Sequence, residues 1–548
     1  MGKYLFGIDL GTTNSCIAYV DNTGRATVIQ NREGSRTTPS VVNFSNPDKV
    51  VVGQVAKESA VIEPDATVAF VKALMGESSF AIHYNDKDRS PEEVSSYIIR
   101  KIVEDASEQI GEEIHDVVIT CPAYFGTEKR EATKKAGIIA GLNVMQVISE
   151  PIAAALSYSC NEETENKTVL VYDLGGGTFD VTVINIQGVN ITYVCSDGNS
   201  QLGGKDWDGL LMNYIEQQFR DETGYKEELD EYAVQDLQQK VEQAKIHLTA
   251  REEVPVMVDV GGLHHRITLT KATFDEITKG LLNETLTLTD AAIGVAESKG
   301  YKIDEIILVG GSTKMPQVRD ALIEKYGMTP RAYDQDEAVA KGAAIYALDY
   351  YQKQHDDTTQ KVNNGEVDIN DEQTKEKVDQ YKEAPTVDTE MINGIPGGQP
   401  INITFTTSKS YALKALVKGE EKCQNLILKN QPMPEGSISV TEQFQTVVDN
   451  QREAELVVFE NDFDMEIFDV DEEFMLGSTV LELPDGLPKG SAISVTFTLN
   501  NEGLLEVTGV EGTTGKAVHA EMHATSGATM SQEAVEEARK DVMSVSVE

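Results

Sequence analysis

"VYDLGGGTFD" at residues 171–180 repeats, in outline, the stretch "GIDLGTTNS" at residues 7–15. Each is an apolar run that ends in Asp-Leu-Gly and passes into small polar residues. Both read as buried strands that close on a carboxylate and a flexible glycine corner, so the pattern predicts two jaws of one site. The surroundings repeat as well. Residues 1–30 read as three short strands with a turn at Asp21–Gly24, and 168–196 read the same way in "TVLVYDLGGG", "TFDVTVINIQ" and "NITYVCSDG". Helical sequence follows each set, "EEVSSYIIRKIVEDASEQI" after the first and "DGLLMNYIEQQFRDE" after the second. A duplicated set of strands covered by helices predicts an α/β protein of two similar lobes with a cleft between them. A third strand and glycine corner follows in "IDEIILVGGSTKMPQVRDALIEKYG", and "DEAVAKGAAIYALDYY" reads as a closing helix.

The chemistry lies in the corners: Gly11 with Thr12 and Thr13, Gly175–Gly177 with Thr178, and Gly310 with Gly311 and Ser312. Glycine lets backbone N–H groups converge on an anion, and the hydroxyls add donors. Asp9 and Asp173, each just ahead of a corner, suit a hydrated Mg²⁺. The bland alternative is three tight turns; three corners in one repeat architecture favour a cradle for a nucleotide polyphosphate. No GxxxxGK[ST] loop is present, so the cradle is of another kind.

With 548 residues the chain is long enough for two or three domains. Its 40% hydrophobic and 25% charged residues are ordinary for a globular protein, and a net charge of −44 argues against nucleic acid and anionic membranes as partners. No apolar run approaches a membrane span and no signal peptide is evident, and five scattered cysteines without a CxxC read as reduced thiols in a cytoplasmic protein. Residues 354–399 carry many charges and few large apolar side chains, and read as an acidic linker spanning about 35–40 Å. From 400 to 525, alternating runs such as "SISVTEQFQTVV" and "ISVTFTLN" predict a β-sandwich, followed by a short helical tail at 526–548. Within it "ENDFDMEIFDVDEE", residues 460–473, reads as a solvated acidic face, since it lacks the glycine and closing glutamate of a calcium loop.

The stretches "IDLGTTNSCIA", "CPAYFGTEKREATKKAGIIAGLNVMQVISEPIAAALSY", "VYDLGGGTFDVTVI", "LGGKDWD", "EQAKIHLT", "ILVGGSTKMPQV" and "DEAVAKGAA" resemble the Hsp70 (DnaK-type) chaperones of the actin/sugar-kinase-like ATPase superfamily. They span nearly all of residues 1–350 in the family's order; the β region resembles the family's substrate-binding sandwich more loosely. The resemblance implies a two-lobed actin-like ATPase domain at 1–353 and a sandwich that binds extended hydrophobic peptide segments under nucleotide control. It implies ATP/ADP, Mg²⁺ and K⁺ as ligands, with J-domain and nucleotide-exchange proteins as partners. Carried over by position, Lys72, Glu150, Asp173 and Thr178 would serve hydrolysis. Gly11, Thr12, Thr13, Asn14, Gly176, Gly177 and Thr178 would hold phosphates. Glu242, Lys245, Thr249, Gly310, Gly311, Ser312, Lys314 and Asp336 would hold the adenosine end, and Asp9, Asp173 and Asp180 the cations. Pro122 and Arg130 match the family's relay of nucleotide state. Leu413, Leu416, Phe444 and Val448 are the candidate peptide contacts, with the sandwich core as their alternative place.

The chain departs from the family pattern at several positions. Lys314 stands where the family has an arginine that stacks on adenine, Ile246 replaces a basic residue, and Gln146 replaces a basic residue used by J-domain partners. The stretch between Lys72 and Pro91 is short, the apolar linker is replaced by 354–399, and the helical lid is reduced to a stub. Two other functions stay open beside the ATP-hydrolysing chaperone. One is a divergent relative that holds a dedicated partner with little allosteric cycle; the other is a small-molecule kinase of the same superfamily.

Overall fold

A computed structural model describes residues 3–77, 79–161, 166–364, 372–387, 392, 401–433, 436–501, 503–522 and 530–548. The duplication read in the sequence is present as two mixed sheets with the same local plan. In the first, strand Phe6–Asp9 forms a hairpin with Asn14–Val20 and runs parallel to Asp116–Cys121, with Asn143–Ser149 beyond it. In the second, Lys167–Leu174 forms a hairpin with Phe179–Gln187 and runs parallel to Glu305–Val309. In both hairpins the glycine corner is the turn, so each carboxylate sits where its strand leaves the sheet. The central strands are buried almost throughout and correspondingly apolar, as expected where helices cover both faces of a sheet.

Helix Pro91–Ile110 covers the first sheet; it starts on a capping box between Ser90 and Glu93 and stops at Gly111 in the left-handed region. Helix Gly204–Thr223 covers the second and buries Trp207, Leu211, Ile215 and Phe219 at helical spacing. The two α/β units meet along helix Ala338–Asn364, which packs on helix Glu150–Asn161 and against strand Phe6–Asp9. Glycine permits this contact: a Cβ on Gly342 would lie 1.6 Å from the Ala153 carbonyl oxygen, and one on Gly7 would lie 2.1 Å from the Ala344 nitrogen.

Residues 354–399 do not behave as a free spacer, which corrects the linker expectation for their described part. The helix runs through the expected boundary to Asn364, and a second helix spans Glu372–Tyr381. Tyr381, Val387 and Ile392 are buried in the seam between the α/β units. The Tyr351 hydroxyl donates to the carbonyls of Gln380 and Glu383 at 3.1 Å, and Lys3 and Thr386 are joined by a backbone bond of 2.9 Å. Tyr381, Val387 and Ile392 find slots in an existing core, whereas Val362 stays exposed.

The sandwich consists of a five-stranded sheet, with Ser410–Val417, Glu420–Ile427, Glu453–Asn461, Ile467–Asp469 and Met475–Glu482, facing a four-stranded one. The latter holds Ser437–Gln445, Ala492–Asn500, Leu505–Glu511 and Ala517–Met522. Strand Asn402–Thr406, expected as its first strand, instead extends the second α/β sheet by pairing parallel with Asn190–Thr192. The acidic stretch 460–473 is only half solvated. Its Phe463 and Phe468, with Phe474 just beyond, stack edge-on over the outer face of the five-stranded sheet, on Ala412, Cys423, Val457 and Phe459. The sandwich also docks on helix Thr127–Ile139. The Thr127 backbone N–H donates to Glu460 at 3.0 Å, and the Thr127 hydroxyl donates to the Gly503 carbonyl at 2.7 Å. A carboxylate at a helix N-terminus meets both unpaired N–H groups and a favourable dipole.

All five cysteines are buried and none is disulfide-bonded. Among the described residues no helix is long and apolar enough to cross a membrane. The packing at Gly342 yields a paired prediction. Gly342→Ala should destabilise the chain by about 3 kcal/mol, because backbone cannot retreat from the new methyl. Gly209→Ala, in helix Gly204–Thr223 with nothing within 4 Å of the new carbon, should stabilise it by about 0.5–1 kcal/mol. Urea unfolding of the two variants beside the unaltered chain measures both.

Candidate functional site

The three glycine corners converge on one cavity of about 450 Å³ between the α/β units. They interlock. A Cβ on Gly176 would lie 2.1 Å from Thr13, and one on Gly177 would lie 2.6 Å from Thr12, so the first two corners touch back to back. The third closes the set: the Ser312 hydroxyl donates to the Gly175 carbonyl at 2.8 Å. Gly310 has φ of +84°, and a Cβ there would lie 2.5 Å from a carboxylate oxygen of Asp173.

The charged centre of the cavity is one ammonium among carboxylates. Lys72, in the short turn Val71–Leu74, is buried and ion-paired with Glu150 at the start of helix Glu150–Asn161. The turn is entered through Phe70, a bulky residue in the left-handed region with φ of 60°, which also lines the cavity. Burial lowers the affinity of Lys72 for its proton, but Glu150 and Asp9 outweigh it and leave the pKa raised. Burial, then the charge of Glu150, pushes Asp9 up to about 7, although Lys72 and a bond from the Thr120 hydroxyl pull the other way. Asp173 is held well above the usual carboxylate range by burial, Glu150 and Asp9, and Asp180 by burial, Glu150 and Asp173. The set is therefore short of positive charge. One oxygen of Asp180 is buried with no hydrogen-bond partner. Among the described residues no group of three or more His, Cys, Asp or Glu could hold a metal ion by itself. A cation here has to bring ligands with it, as Mg²⁺ does when it keeps waters and takes phosphate oxygens; Asp9 and Asp173 fit that demand.

At the other end of the cavity, helix Glu231–Leu248 and its cap supply Glu242, Lys245 and Thr249, facing Gly311, Ser312, Lys314 and Asp336. Lys245 is tied down by Asp208 at 2.6 Å and the Gly204 carbonyl at 3.0 Å; Lys314 is ion-paired with Asp336. A bridge closes the mouth between the units. Lys57 pairs with Glu242 at 2.6 Å, and the Gln239 amide donates to the Lys57 carbonyl at 2.6 Å.

Of the residues chosen from sequence, Asp9, Gly11, Thr12, Thr13, Asn14, Lys72, Glu150, Asp173, Gly176, Thr178, Glu242, Lys245, Thr249, Gly310, Gly311, Ser312, Lys314 and Asp336 all line the cavity. Gly177 is covered by Thr12 and Gly203, and Asp180, paired across the hairpin with Asp173, is buried off the wall. Sequence reasoning missed Lys57, Gln239 and Asp208. Asp208 lies in the stretch "LGGKDWD" and could have been found there; Lys57 and Gln239 belong to no motif. Arg130 sits against Gly503 of the sandwich and donates to the Phe125 carbonyl at 3.0 Å. Gln146 is buried and donates to the Tyr350 hydroxyl at 3.2 Å, so it offers little surface to a partner.

The four peptide candidates divide between core and surface. Leu413 is 2% exposed in the sandwich core, a correction to its assignment, and Phe444 packs against that core from the other sheet. Leu416 and Val448 are exposed.

The family model described as "Hsp70 protein" matches residues 5–83, 77–357 and 387–548. Proteins named "Chaperone protein DnaK" from Thermosipho melanesiensis and Thermosipho africanus are 34% identical over 525 residues, 94% of this chain and 79% of each of those proteins. The one from Thermotoga neapolitana is 34% identical over 526 residues, with the same coverage. The chain belongs to the Hsp70 family of chaperones.

Removing the central cation should expose the charge imbalance. Lys72→Met should destabilise the ligand-free chain by about 3 kcal/mol at pH 8, as for a buried ion pair broken from one side. Carboxylates whose folded pKa is raised bind a proton on folding. Stability therefore falls as pH rises from the unfolded value of about 4 through the folded one. Loss of Lys72 raises the folded values further, so the deficit should shrink at pH 5, where these groups are protonated. Thermal unfolding at both pH values in EDTA measures it.

Proposed function

We propose that the chain is an ATP-hydrolysing Hsp70-family chaperone, with its nucleotide in the cavity between the α/β units. The observation that carries the reading is the convergence of three glycine corners and the Lys72–Glu150 pair on one space. In this reading residues 1–353 form the two-lobed, actin-like ATPase domain. Gly11–Asn14 and Gly176–Thr178 offer N–H and hydroxyl donors to the polyphosphate, while Glu242, Lys245, Ser312 and Lys314 hold the adenosine end. Asp9 and Asp173 would hold Mg²⁺ through water, and the ion would neutralise phosphate charge.

Lys72 is kept in place by Glu150 and faces the charge that develops on the γ-phosphoryl group. Asp173, raised by burial, is suited to accept the proton of the attacking water. Lys314 already has a partner in Asp336 and lacks a planar face, so adenine is held less firmly than an arginine would hold it. The sandwich takes extended apolar segments, and J-domain and exchange proteins are the expected class of partner.

A second reading is a relative that holds a dedicated partner with little cycle; it rests on Leu413 lying in the sandwich core and Phe444 packing against it, while Leu416 and Val448 are exposed.

Steady-state ATP turnover with and without an extended apolar peptide separates the two. Stimulation by peptide supports the cycling chaperone; binding without stimulation supports the dedicated holder. Lys72→Ala should leave nucleotide affinity within about tenfold and lower turnover about 100-fold or more, since the lysine acts on developing charge. Turnover equal to that of the unaltered chain would remove Lys72 from the mechanism.

A further inference from the structure

Residues 531–548 return from the sandwich side of the chain to the first α/β unit, and they are built into it. Helix Gln532–Ser544 starts on Ser531, whose hydroxyl accepts from the Ala534 N–H at 3.2 Å. It buries Val535, Ala538 and Val542 in the same core as Tyr97, Ile98 and Ile139. Its last carbonyls would be orphaned on an apolar surface, yet buried Arg100 donates to those of Val542 and, at 2.9 Å, Val545. Lys87 pairs with Glu537 at 3.0 Å and Asp541 at 2.5 Å, and Arg89 reaches Asp541 at 3.4 Å.

The chain then becomes a strand. Ser546–Val547 run parallel to Lys49–Val50, the Val52 N–H donates to the Glu548 carbonyl at 2.8 Å, and the Glu548 N–H donates to the Val50 carbonyl at 3.0 Å. Val547 is buried beneath this pairing. The segment thus occupies the edge of the small sheet formed by Val41–Asn43, Lys49–Val52 and Thr67–Ala69.

Strand Lys49–Val52 leads through Gly53 directly into helix Gln54–Ser59, which carries Lys57. Lys57 and Ala60 line the cavity, and Lys57 forms the bridge to Glu242 and Gln239 on the opposite unit. The backbone bond at Val52 therefore lies five residues from the side chain that closes the cavity mouth. The geometry points to a regulatory strap: residues 531–548 hold segment 49–59 in register, keep the Lys57 bridge closed, and so slow release of the nucleotide. Detachment of the strap frees the edge of the small sheet, loosens helix Gln54–Ser59 and opens the mouth. This rests on the reading of the cavity as a nucleotide site.

The test is dissociation of a fluorescent ADP analogue from the full chain by stopped flow, with hydrogen exchange over residues 49–59 and 531–548. Val542→Asp places a charge in the core and should detach the strap, speed release about tenfold or more and raise exchange in both segments. Adding the peptide 531–548 to this variant should slow release again. Lys87→Glu leaves the core untouched, sets like charges against Glu537 and Asp541, and should speed release in the same direction; adding Glu537→Lys should reverse part of the effect. Faster exchange in 531–548 with release unchanged within twofold would overturn the strap while leaving the nucleotide site standing. Failure of the unaltered chain to bind the analogue would overturn the nucleotide reading, and control of release with it.

Discussion

Among the described residues, Lys72 is the positive group at the centre of a cavity that also holds Glu150 and Asp9, with Asp173 on the wall and Asp180 just behind it. Burial makes every one of these charges costly, and the lysine offsets only part of the cost. The arrangement is consequently incomplete without more positive charge. Away from the centre the wall carries further lysines, but these already have partners: Lys57 pairs with Glu242, Lys245 with Asp208 and Lys314 with Asp336.

The glycine corners follow from the same demand. To bring turns from two sheets and a third strand onto one cavity, the backbones must pass closer than side chains allow. Gly176 and Gly177 accordingly lie against Thr13 and Thr12. The cost of such contacts is rigidity, and movement is left to the mouth, where polar links such as Lys57–Glu242 join the units. Ion pairs that are about one third exposed can break and re-form at small cost, so the mouth is the part of the cavity best suited to open.

Around this centre the later segments are fastened at several places among the described residues. Strand Asn402–Thr406 pairs with the second α/β sheet, Thr127 bonds to the sandwich, and residues 531–548 pair with the small sheet of the first unit. Two of the three are β-pairings at sheet edges. An edge strand presents unpaired backbone groups that any extended segment can satisfy, so the pairing itself leaves residue type free, although the strap at 531–548 adds contacts from Val535, Ala538, Val542 and Arg100.

That freedom separates what was legible in the sequence from what was not. The corners and the two carboxylates ahead of them were legible in contiguous stretches where chemistry dictates residue type, whereas Lys72, Glu150 and the charged residues at the far end of the cavity came only through the family resemblance. Asp180 was assigned to a cation only through the family resemblance; the structure puts it across the hairpin from Asp173 and off the cavity wall. Leu413 and the phenylalanines of 460–474 were misread because one apolar residue among polar neighbours looks the same whether it lines a groove, fills a core or caps an outer face. The packing of Tyr381, Val387 and Ile392, the transfer of Asn402–Thr406 to another sheet and the strap at 531–548 were decided only in three dimensions. The sequence by itself determined the repeated strands, the corners and the charges between them, since these are local demands on residue type. Which sheet edge each later segment completes was settled by tertiary structure, because backbone hydrogen bonding satisfies an edge whatever side chains the segment carries.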